Sequence, residues 1–279
     1  MQRNELITQI KQKKTYLCVG LDTDITKIPK HLLQHKNPIV AFNKSIIDAT
    51  KQHCVSYKIN TAFYESQGSK GWDAMEETVQ YIPATHFKIA DAKRGDIGNT
   101  ATQYAKAFFE TLPFDAITVA PYMGEDSIRP FLAYENKCTI VLALTSNKGA
   151  ANFEMRRLAT NPTDASPTQA PSLYLYEHVL KTVSAWGTPN NLMFVVGATR
   201  ANEMASIRAL VPDNFLLVPG VGFQGGSLAD ISTQGLNADV GLLVNVSRAI
   251  IYAGDNDNYA AEAAVVAEQY HTEMKVYIP

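Results

Sequence analysis

The densest group of charged residues in the chain directly follows a short apolar run. Phe87-Lys-Ile-Ala leads into Asp91-Ala-Lys93-Arg-Gly-Asp96. Side chains two positions apart on a strand share a face, so Asp91 and Lys93 are expected to project together from the C-terminal end of a strand. Asp96 follows a glycine, from which it can reach sideways or out to a neighbour. A lysine held among carboxylates suits general acid and electrostatic catalysis.

Two further charged residues stand at the ends of neighbouring predicted strands. Asp22 ends the first strand, and Lys58 lies among apolar residues of the second. Charges at three adjacent strand ends could therefore converge on one pocket. The alternative is a structural ion-pair network, but a buried ion pair gives little net stabilisation after desolvation. Opposite charges that face one pocket also shift each other's pKa values, which is typical of functional sites.

A glycine-rich stretch late in the chain indicates a phosphate site. Gly220-Val-Gly-Phe-Gln224-Gly-Gly226 follows a predicted strand and has the spacing of a dinucleotide-binding loop, with Asp239 near the expected distance. That motif normally opens a βαβ unit with further units to follow, whereas this is the seventh unit of eight. Phosphate sites in barrels typically form from the loops after strands seven and eight. Strand eight leads into Ser247-Arg248, and an arginine beside that loop suits bidentate phosphate binding.

The scaffold for these residues is predicted from the alternation of short apolar runs with helical stretches. Strands bracketed by helices are parallel and covered on both faces, and eight such units in 279 residues match an α/β fold, the (β/α)8 TIM barrel. A doubly wound open sheet is the structural alternative, because alternation alone does not distinguish a closed sheet from an open one. The predicted strands are 16–22, 54–60, 86–91, 115–120, 138–144, 192–197, 215–219 and 240–246, and the predicted helices are 38–53, 72–82, 99–110, 126–135, 173–184, 202–210, 227–234 and 259–274.

We expect residues 1–279 to form a single domain, since neither a shift in composition nor an internal repeat marks a boundary. A segment at about 145–172, after strand five, is rich in Thr, Asn, Ala and Pro and reads as a long loop. Compact domains seldom contain so long a loop unless it is functional or disordered. It is either a flexible insertion or a lid whose first residues, 145–149, contact a ligand.

The composition excludes several classes of protein. Hydrophobic residues make up 46% of the chain and charged residues 19%, as in a soluble globular protein. A formal net charge of −2 gives no basic field for nucleic acid or for a membrane surface, and no apolar run approaches the roughly 18 residues of a membrane span. Cys18, Cys54 and Cys138 are widely spaced in apolar surroundings, which favours buried thiols over disulfides. The N-terminus has polar residues where a secretory signal is apolar, so we expect a cytoplasmic protein.

Five segments together resemble the orotidine 5′-phosphate decarboxylase family in its longer bacterial (type 2) form. The resemblance covers essentially the whole predicted barrel. The Asp-x-Lys-x-x-Asp motif is shared with phosphogulonate decarboxylases and hexulose phosphate synthases of the same superfamily, whereas the five segments in this order are specific. The segments are Gly-Leu-Asp22, Tyr-Lys58, Asp91-Ala-Lys93-Arg-Gly-Asp96-Ile-Gly-Asn-Thr100-Ala, Pro-Gly-Val-Gly-Phe-Gln224 and Ser247-Arg248.

The resemblance implies decarboxylation of orotidine 5′-monophosphate to uridine 5′-monophosphate, the last step of pyrimidine biosynthesis, without metal or cofactor. Lys93 would protonate C6 of the pyrimidine as carbon dioxide leaves, and Asp91 would lie beside the departing carboxylate. Lys58 would hold Asp91 and the ribose hydroxyls, and Asp22 would bind a ribose hydroxyl. Ser146 would contact the edge of the pyrimidine.

The resemblance also implies a homodimer with shared active sites. Asp96, Ile97 and Thr100 of one subunit would complete the site of the other subunit. Gln224 and Arg248 would bind the 5′-phosphate of the substrate.

Two alternatives stay open on the sequence. A relative that acts on a sugar phosphate would use a divalent metal bound by acidic residues at these strand ends, so its activity would not survive EDTA. A non-catalytic barrel would bind a nucleotide without turnover, which the intact set of two lysines and two aspartates disfavours. His31 and His35 have the spacing of a zinc-binding pair, but neither a glutamate between them nor a third ligand accompanies them.

Overall fold

Eight parallel strands form a closed barrel in chain order in the computed structural model, which describes residues 1–158, 173–222 and 225–278. Strand β1 pairs with β2 on one side and with β8 on the other, and this closes the sheet. The predicted TIM barrel is therefore confirmed, and the open doubly wound sheet is excluded. The strands are β1 (Leu17–Gly20), β2 (Ser56–Asn60), β3 (Phe87–Arg94), β4 (Ala116–Val119), β5 (Cys138–Leu144), β6 (Leu192–Val196), β7 (Leu216–Pro219) and β8 (Leu242–Val246).

The strands are apolar because helices cover the outer face of the barrel while side chains fill its interior. Every residue of β1, β4, β6 and β8 is buried. Continuous β-branched runs without polar alternation are typical of such doubly covered parallel strands. Lys58, Asp91 and Lys93 lie toward the C-terminal ends of β2 and β3, at the edge that carries the functional site of a barrel.

The helices follow the strands as predicted, with ends that differ by a few residues. The first long helix after β3 passes into a π-helical turn at Ala107–Thr111, and short 3₁₀ turns lie at Lys30–Gln34, Lys148–Asn152 and Ala198–Arg200. The helices are α1 (Arg3–Lys13), α2 (Pro38–Thr50), α3 (Ala62–Glu65), α4 (Ser69–Tyr81), α5 (Gly98–Lys106), α6 (Glu125–Leu132), α7 (Leu175–Val183), α8 (Ala201–Leu210), α9 (Leu228–Gly235), α10 (Arg248–Ile251) and α11 (Tyr259–Lys275).

The sequence analysis did not predict α1, α3 or α10. Helices α3 and α10 are a single turn each, too short to produce a hydrophobic period. Helix α1 buries only three side chains, among them Leu6 and Ile10, so its apolar stripe is narrow. It packs on the N-terminal end of the barrel, where Arg3 pairs with Asp239 at 2.8 Å and the N-terminal ammonium pairs with Asp115.

The long loop predicted at 145–172 is described only as far as residue 158. Residues 159–172 lie outside the described residues. The expectation that residues 1–279 form one domain, and the choice between a flexible insertion and a lid, therefore stay predictions. All three cysteines are buried and unpaired, as predicted.

Arg208 on α8 ties together turns at the N-terminal end of the barrel. Its guanidinium donates to the carbonyl oxygens of Asn214 (2.7 Å), Gly235 (2.9 Å) and Gly241 (3.0 Å), as well as to two others. Burial lowers the pKa of Arg208 to about 10, so the group stays protonated at neutral pH. The turns that it joins lead directly into β7 and β8.

We predict that Arg208→Met lowers the free energy of unfolding by about 3 kcal/mol, because several buried carbonyl groups lose their donor. Urea unfolding at a fixed protein concentration measures the loss. Arg129→Met on α6 is the control, since that arginine side chain is 57% exposed. A loss no larger than that of the control would contradict the role of Arg208. Turnover per folded molecule should not change, because Arg208 lies at the barrel end opposite the charged strand ends.

Candidate active site

Four charged side chains from three adjacent strands form one ion-pair chain at the C-terminal end of the barrel. The ammonium of Lys58 on β2 lies 2.9 Å from Asp91 Oδ2 and 3.3 Å from Asp22 Oδ1. The other carboxylate oxygen of Asp91, Oδ1, accepts a hydrogen bond from Lys93 Nζ at 2.6 Å. The predicted convergence of Asp22, Lys58, Asp91 and Lys93 is therefore what the structure contains.

Burial differs along this chain of charges and sets their electrostatics. The side chain of Lys58 is 3% exposed and that of Asp91 is 12% exposed, whereas the side chain of Lys93 is 51% exposed. Burial by itself would lower the pKa of Lys58, but the carboxylates of Asp22 and Asp91 raise it overall. Burial would likewise raise the pKa of Asp91, but the ammonium groups of Lys58 and Lys93 hold it well below its usual range. Asp91 is therefore a carboxylate at neutral pH, and Lys93 is the cation of the set that is open to a ligand.

Strand β3 departs from regular geometry where it carries these groups. Its pairing with β4 shifts between Ala90 and Arg94, and Lys93 has a positive φ of 49°. A lysine in the left-handed region is uncommon and carries backbone strain. The side chains of Asp91 and Lys93 are in contact as predicted, although this part of β3 is not a regular strand. The alternation of side chains along a regular strand therefore predicted the correct contact but not the backbone geometry that produces it.

Asp22 is positioned through its backbone by two tyrosines. The hydroxyl of Tyr64 donates to Leu21 O at 3.1 Å, and the hydroxyl of Tyr252 donates to Asp22 O at 3.1 Å. Gly20 lets the end of β1 approach β8, since a Cβ atom there would lie 1.8 Å from Ser247 Oγ. The end of β1 is thereby fixed against both of its neighbouring strands.

A cavity of about 180 Å³ joins three of the four charged groups to the predicted phosphate loop, whereas Lys93 is not among its lining residues. Asp22, Lys58 and Asp91 line one part of it, and Gly220 and Arg248 line the other. Its remaining lining residues are Asn60, Pro219, Val221, Asn245, Val246, Ser247 and Ala249.

The glycines of the predicted phosphate loop have the backbone geometry that only glycine adopts readily. Gly220, Gly222 and Gly225 have φ values of 100°, 75° and 85°. Gly226 N donates to Gly220 O at 3.2 Å, which closes the loop. Gln224, predicted to bind phosphate, lies outside the described residues.

Ser146 lies after β5 and is not among the residues that line this cavity. It packs against Gly197 at the end of β6, where a Cβ atom would lie 2.6 Å from Ser146 N. The preceding residue is anchored by Glu154, whose carboxylate accepts from Thr145 N (2.7 Å) and Thr145 Oγ1 (2.8 Å). The substrate contact of Ser146 stays a prediction.

Asp96, Ile97 and Thr100 lie beyond the end of β3 and are not part of the ion-pair chain. The carboxylate of Asp96 accepts from Ile97 N at 2.8 Å, and within the described residues it forms no salt bridge with Lys93. Ile97 is 61% exposed and Thr100, in the first turn of α5, is exposed as well. Within one chain, these three residues are thus not brought into the site.

Thr118 and Asn245 are polar site residues that the sequence analysis missed. Thr118 on β4 donates to Asp91 Oδ1 at 3.1 Å, and Asn245 on β8 lines the cavity beside Ser247. Both lie in apolar strands. A neutral polar residue near the end of a buried strand is the signal that could have identified them.

Metal-binding clusters and membrane-spanning helices are absent from the described ranges 1–158, 173–222 and 225–278. No group of three or more His, Cys, Asp and Glu side chains within these ranges is arranged to hold a metal ion. Every helix within the same ranges is too short or too polar to span a membrane.

Comparison with known proteins identifies relatives over nearly the whole chain. The orotidine 5′-phosphate decarboxylase of Christiangramia forsetii is 53% identical over 277 residues, which are 98% of this chain and 97% of that protein. The structure of Leishmania donovani OMP decarboxylase has a TM-score of 0.80 and 35% identity, covering 99% of this chain and 100% of that chain. Leishmania donovani UMP synthase has a TM-score of 0.78 and 37% identity, covering 95% of this chain and 56% of that chain.

A family profile gives the same result. The profile of the orotidine 5′-phosphate decarboxylase / HUMPS family matches residues 15–264, from just before β1 into α11. The match therefore contains all eight strands and every residue of the ion-pair chain. The chain belongs to the orotidine 5′-phosphate decarboxylase / HUMPS family.

Proposed function

We propose that Lys93 and Asp91 carry out the reaction of this chain, the decarboxylation of orotidine 5′-monophosphate (OMP) to uridine 5′-monophosphate (UMP) in pyrimidine biosynthesis. The reaction follows from the family and from relatives more than half identical over almost the full length. The roles of the residues are supported by the cavity that joins Asp91 and Lys58 to Gly220 and Arg248. A substrate with a reacting group at one end and a phosphate at the other requires such a cavity.

Lys93 is the proton donor in this proposal. Cleavage of the bond from C6 to the carboxylate releases carbon dioxide and leaves an electron pair on C6. The ring does not delocalise that pair well, so the ammonium of Lys93 stabilises it electrostatically. Lys93 Nζ then transfers a proton to C6, which completes UMP and leaves a neutral amine.

Asp91 and Lys58 fix this ammonium and the sugar. Asp91 bonds Lys93 through one oxygen and Lys58 through the other, so the lysine head group approaches the substrate from a defined direction. The carboxylate of Asp91 lies next to the departing carboxylate of the substrate. Lys58 and Asp22 bind the ribose hydroxyls.

Arg248 and Gln224 bind the 5′-phosphate, with the backbone of the glycine loop. Arginine presents two parallel donors to a phosphate, and glycine lets backbone amides come close. The phosphate is remote from C6, so its binding energy can be used to order the site around the pyrimidine. Ser146, after β5, contacts the edge of the pyrimidine.

Two copies of the chain form a homodimer with shared sites. Asp96, Ile97 and Thr100 of one subunit complete the site of the other. Two observations support this arrangement: Lys93 is half exposed, and the apolar side chains Ile97 (61% exposed) and Tyr122 (91% exposed) follow the neighbouring strands β3 and β4. Exposed apolar groups beside an incompletely enclosed charge are typical of an interface.

No metal or cofactor takes part in this mechanism, since Lys93 supplies both the positive charge and the proton. The homodimer acts on a small molecule, without nucleic acid or membrane. Its three unpaired buried cysteines suit the reducing environment of the cytoplasm, where we infer that it acts.

We predict that Lys93→Ala folds but loses about ten-thousandfold or more in turnover, because it removes both the charge and the proton. The ultraviolet absorbance of OMP, followed with purified protein in excess EDTA, measures the reaction. Lys106→Ala, an exposed lysine at the end of α5, is the control. Substantial activity of Lys93→Ala would exclude the proton-donor role. No fall in the OMP absorbance with folded wild type, together with turnover of a sugar phosphate once magnesium is restored, would favour the metal-dependent sugar-phosphate chemistry instead.

Subunit mixing tests the shared site. Lys93→Ala and Asp96→Ala are each expected to be inactive as homodimers. After subunit exchange, a heterodimer contains one site with both residues intact, so a mixture should regain up to about a quarter of wild-type turnover if exchange is random. Exchange is verified by native mass spectrometry. No regain after verified exchange would refute the contribution of Asp96 across subunits.

The phosphate assignment is tested by comparing a nucleotide with its nucleoside. We predict that Arg248→Ala weakens UMP binding about ten- to hundredfold, because a charged hydrogen bond is lost. Uridine lacks the phosphate, so its affinity should not change. Isothermal titration calorimetry measures both ligands on wild type and variant. An equal loss for UMP and uridine would mean that Arg248 supports the cavity rather than the phosphate.

A further inference from the structure

The ladder between β3 and β4 is interrupted at the residues that carry the proposed chemistry. Ala90 pairs with Ile117, and the next registered pair is Arg94 with Val119. Four steps along β3 therefore correspond to two steps along β4. The three residues between these pairs on β3, Asp91, Ala92 and Lys93, lie opposite a single residue of β4 and form a bulge.

One side chain takes the place of the missing ladder bonds. Thr118 lies opposite the bulge on β4 and is 1% exposed. Its hydroxyl oxygen accepts a hydrogen bond from the backbone N–H of Lys93 at 2.9 Å. The same hydroxyl donates to Asp91 Oδ1 at 3.1 Å. A hydroxyl has both capacities, so a single group satisfies a buried N–H and a carboxylate at once.

These two bonds act on different parts of the proposed machinery. The bond from Lys93 N holds the backbone of a lysine whose φ is +49°, a conformation that persists only where neighbouring structure stabilises it. The bond to Asp91 Oδ1 reaches the same oxygen that accepts from Lys93 Nζ at 2.6 Å. With Lys58 on Oδ2, the carboxylate of Asp91 is held from three directions.

We propose that Thr118 is a positioning residue for the decarboxylation, because its hydroxyl fixes the bulge of β3 and thereby the direction in which Lys93 and Asp91 face the substrate. The inference rests on the proposed roles of Lys93 and Asp91. The inference goes beyond those roles, because it assigns the orientation of Lys93 and Asp91 to a neutral residue on another strand. Thr118 itself acts through Lys93 and Asp91.

Three variants test this inference. Thr118→Val keeps the shape of the side chain and removes both hydrogen bonds, whereas Thr118→Ser keeps the hydroxyl. Thr139→Val is the matched control: Thr139 lies on the next strand, β5, is 1% exposed, and within the described residues its hydroxyl oxygen has no hydrogen-bond partner. Turnover of OMP, affinity for UMP and the midpoint of urea unfolding are measured for all three.

We expect Thr118→Val to lower kcat about a hundredfold, the size of effect that a small misplacement of catalytic groups produces. Its UMP affinity should stay close to that of Thr139→Val, since the phosphate and ribose contacts remain, whereas its unfolding midpoint should fall, because the buried N–H of Lys93 loses its acceptor. Thr118→Ser should keep kcat within about threefold of wild type, and Thr139→Val should match wild type, because an unpaired hydroxyl is lost without cost. If Thr118→Val does not fold, Thr118→Ala replaces it with the same expectation.

Two results would overturn the role of Thr118. The first is a kcat of the hydroxyl-free variant within about threefold of Thr139→Val. The second is a Thr118→Ser variant as slow as Thr118→Val, or a loss of UMP affinity as large as the loss of kcat. Lys93→Ala separates this failure from failure of the proposed function: an active Lys93→Ala excludes the mechanism, whereas an inactive Lys93→Ala with a fast Thr118→Val excludes only the positioning role.

Discussion

The site depends on a buried carboxylate that must be neutralised. Asp91 is 12% exposed, and an isolated buried anion would take up a proton rather than stay charged. Two ammonium groups keep it ionised, and one of them, Lys58, is itself buried and needs Asp22 as a second partner. Asp91 and Lys58 thus each stay charged because an oppositely charged neighbour lies beside them. A network of this kind contributes little net stability, so its retention in the barrel is better explained by chemistry than by folding.

Closure of the barrel brings this network next to the proposed phosphate loop, which lies far away in sequence. Strand β1 pairs with β2 in one direction and with β8 in the other, so Asp22 stands between Lys58 and the segment that ends in Arg248. In an open sheet, β1 and β8 could lie at opposite edges. Gly20 permits the close approach of β1 to the end of β8 that closure requires, since any side chain there would collide with Ser247.

The parts that could be predicted from sequence are those that depend on repeated pattern or on charge at strand ends. Eight apolar runs predicted eight strands, and the ion-pair chain followed from Asp22, Lys58 and the Asp91–Lys93 pair. Helix α1 was missed because it buries a narrow stripe. The bulge in β3 was missed for a different reason. It arises from the pairing of β3 with β4, and the sequence of one strand does not show which residues of the neighbouring strand it will pair with.

The bulge also explains why the proposed catalytic lysine can be both fixed and accessible. In a regular strand, the backbone at Lys93 would continue to hydrogen-bond with the strands on both sides, β2 and β4. Interrupting the ladder turns the backbone outward, so the lysine side chain is half exposed while its head group stays 2.6 Å from Asp91. The interruption leaves a backbone N–H that needs a partner, and Thr118 provides one from the interior. Access for the substrate and rigidity of the proposed proton donor thus come from the same local departure from β structure.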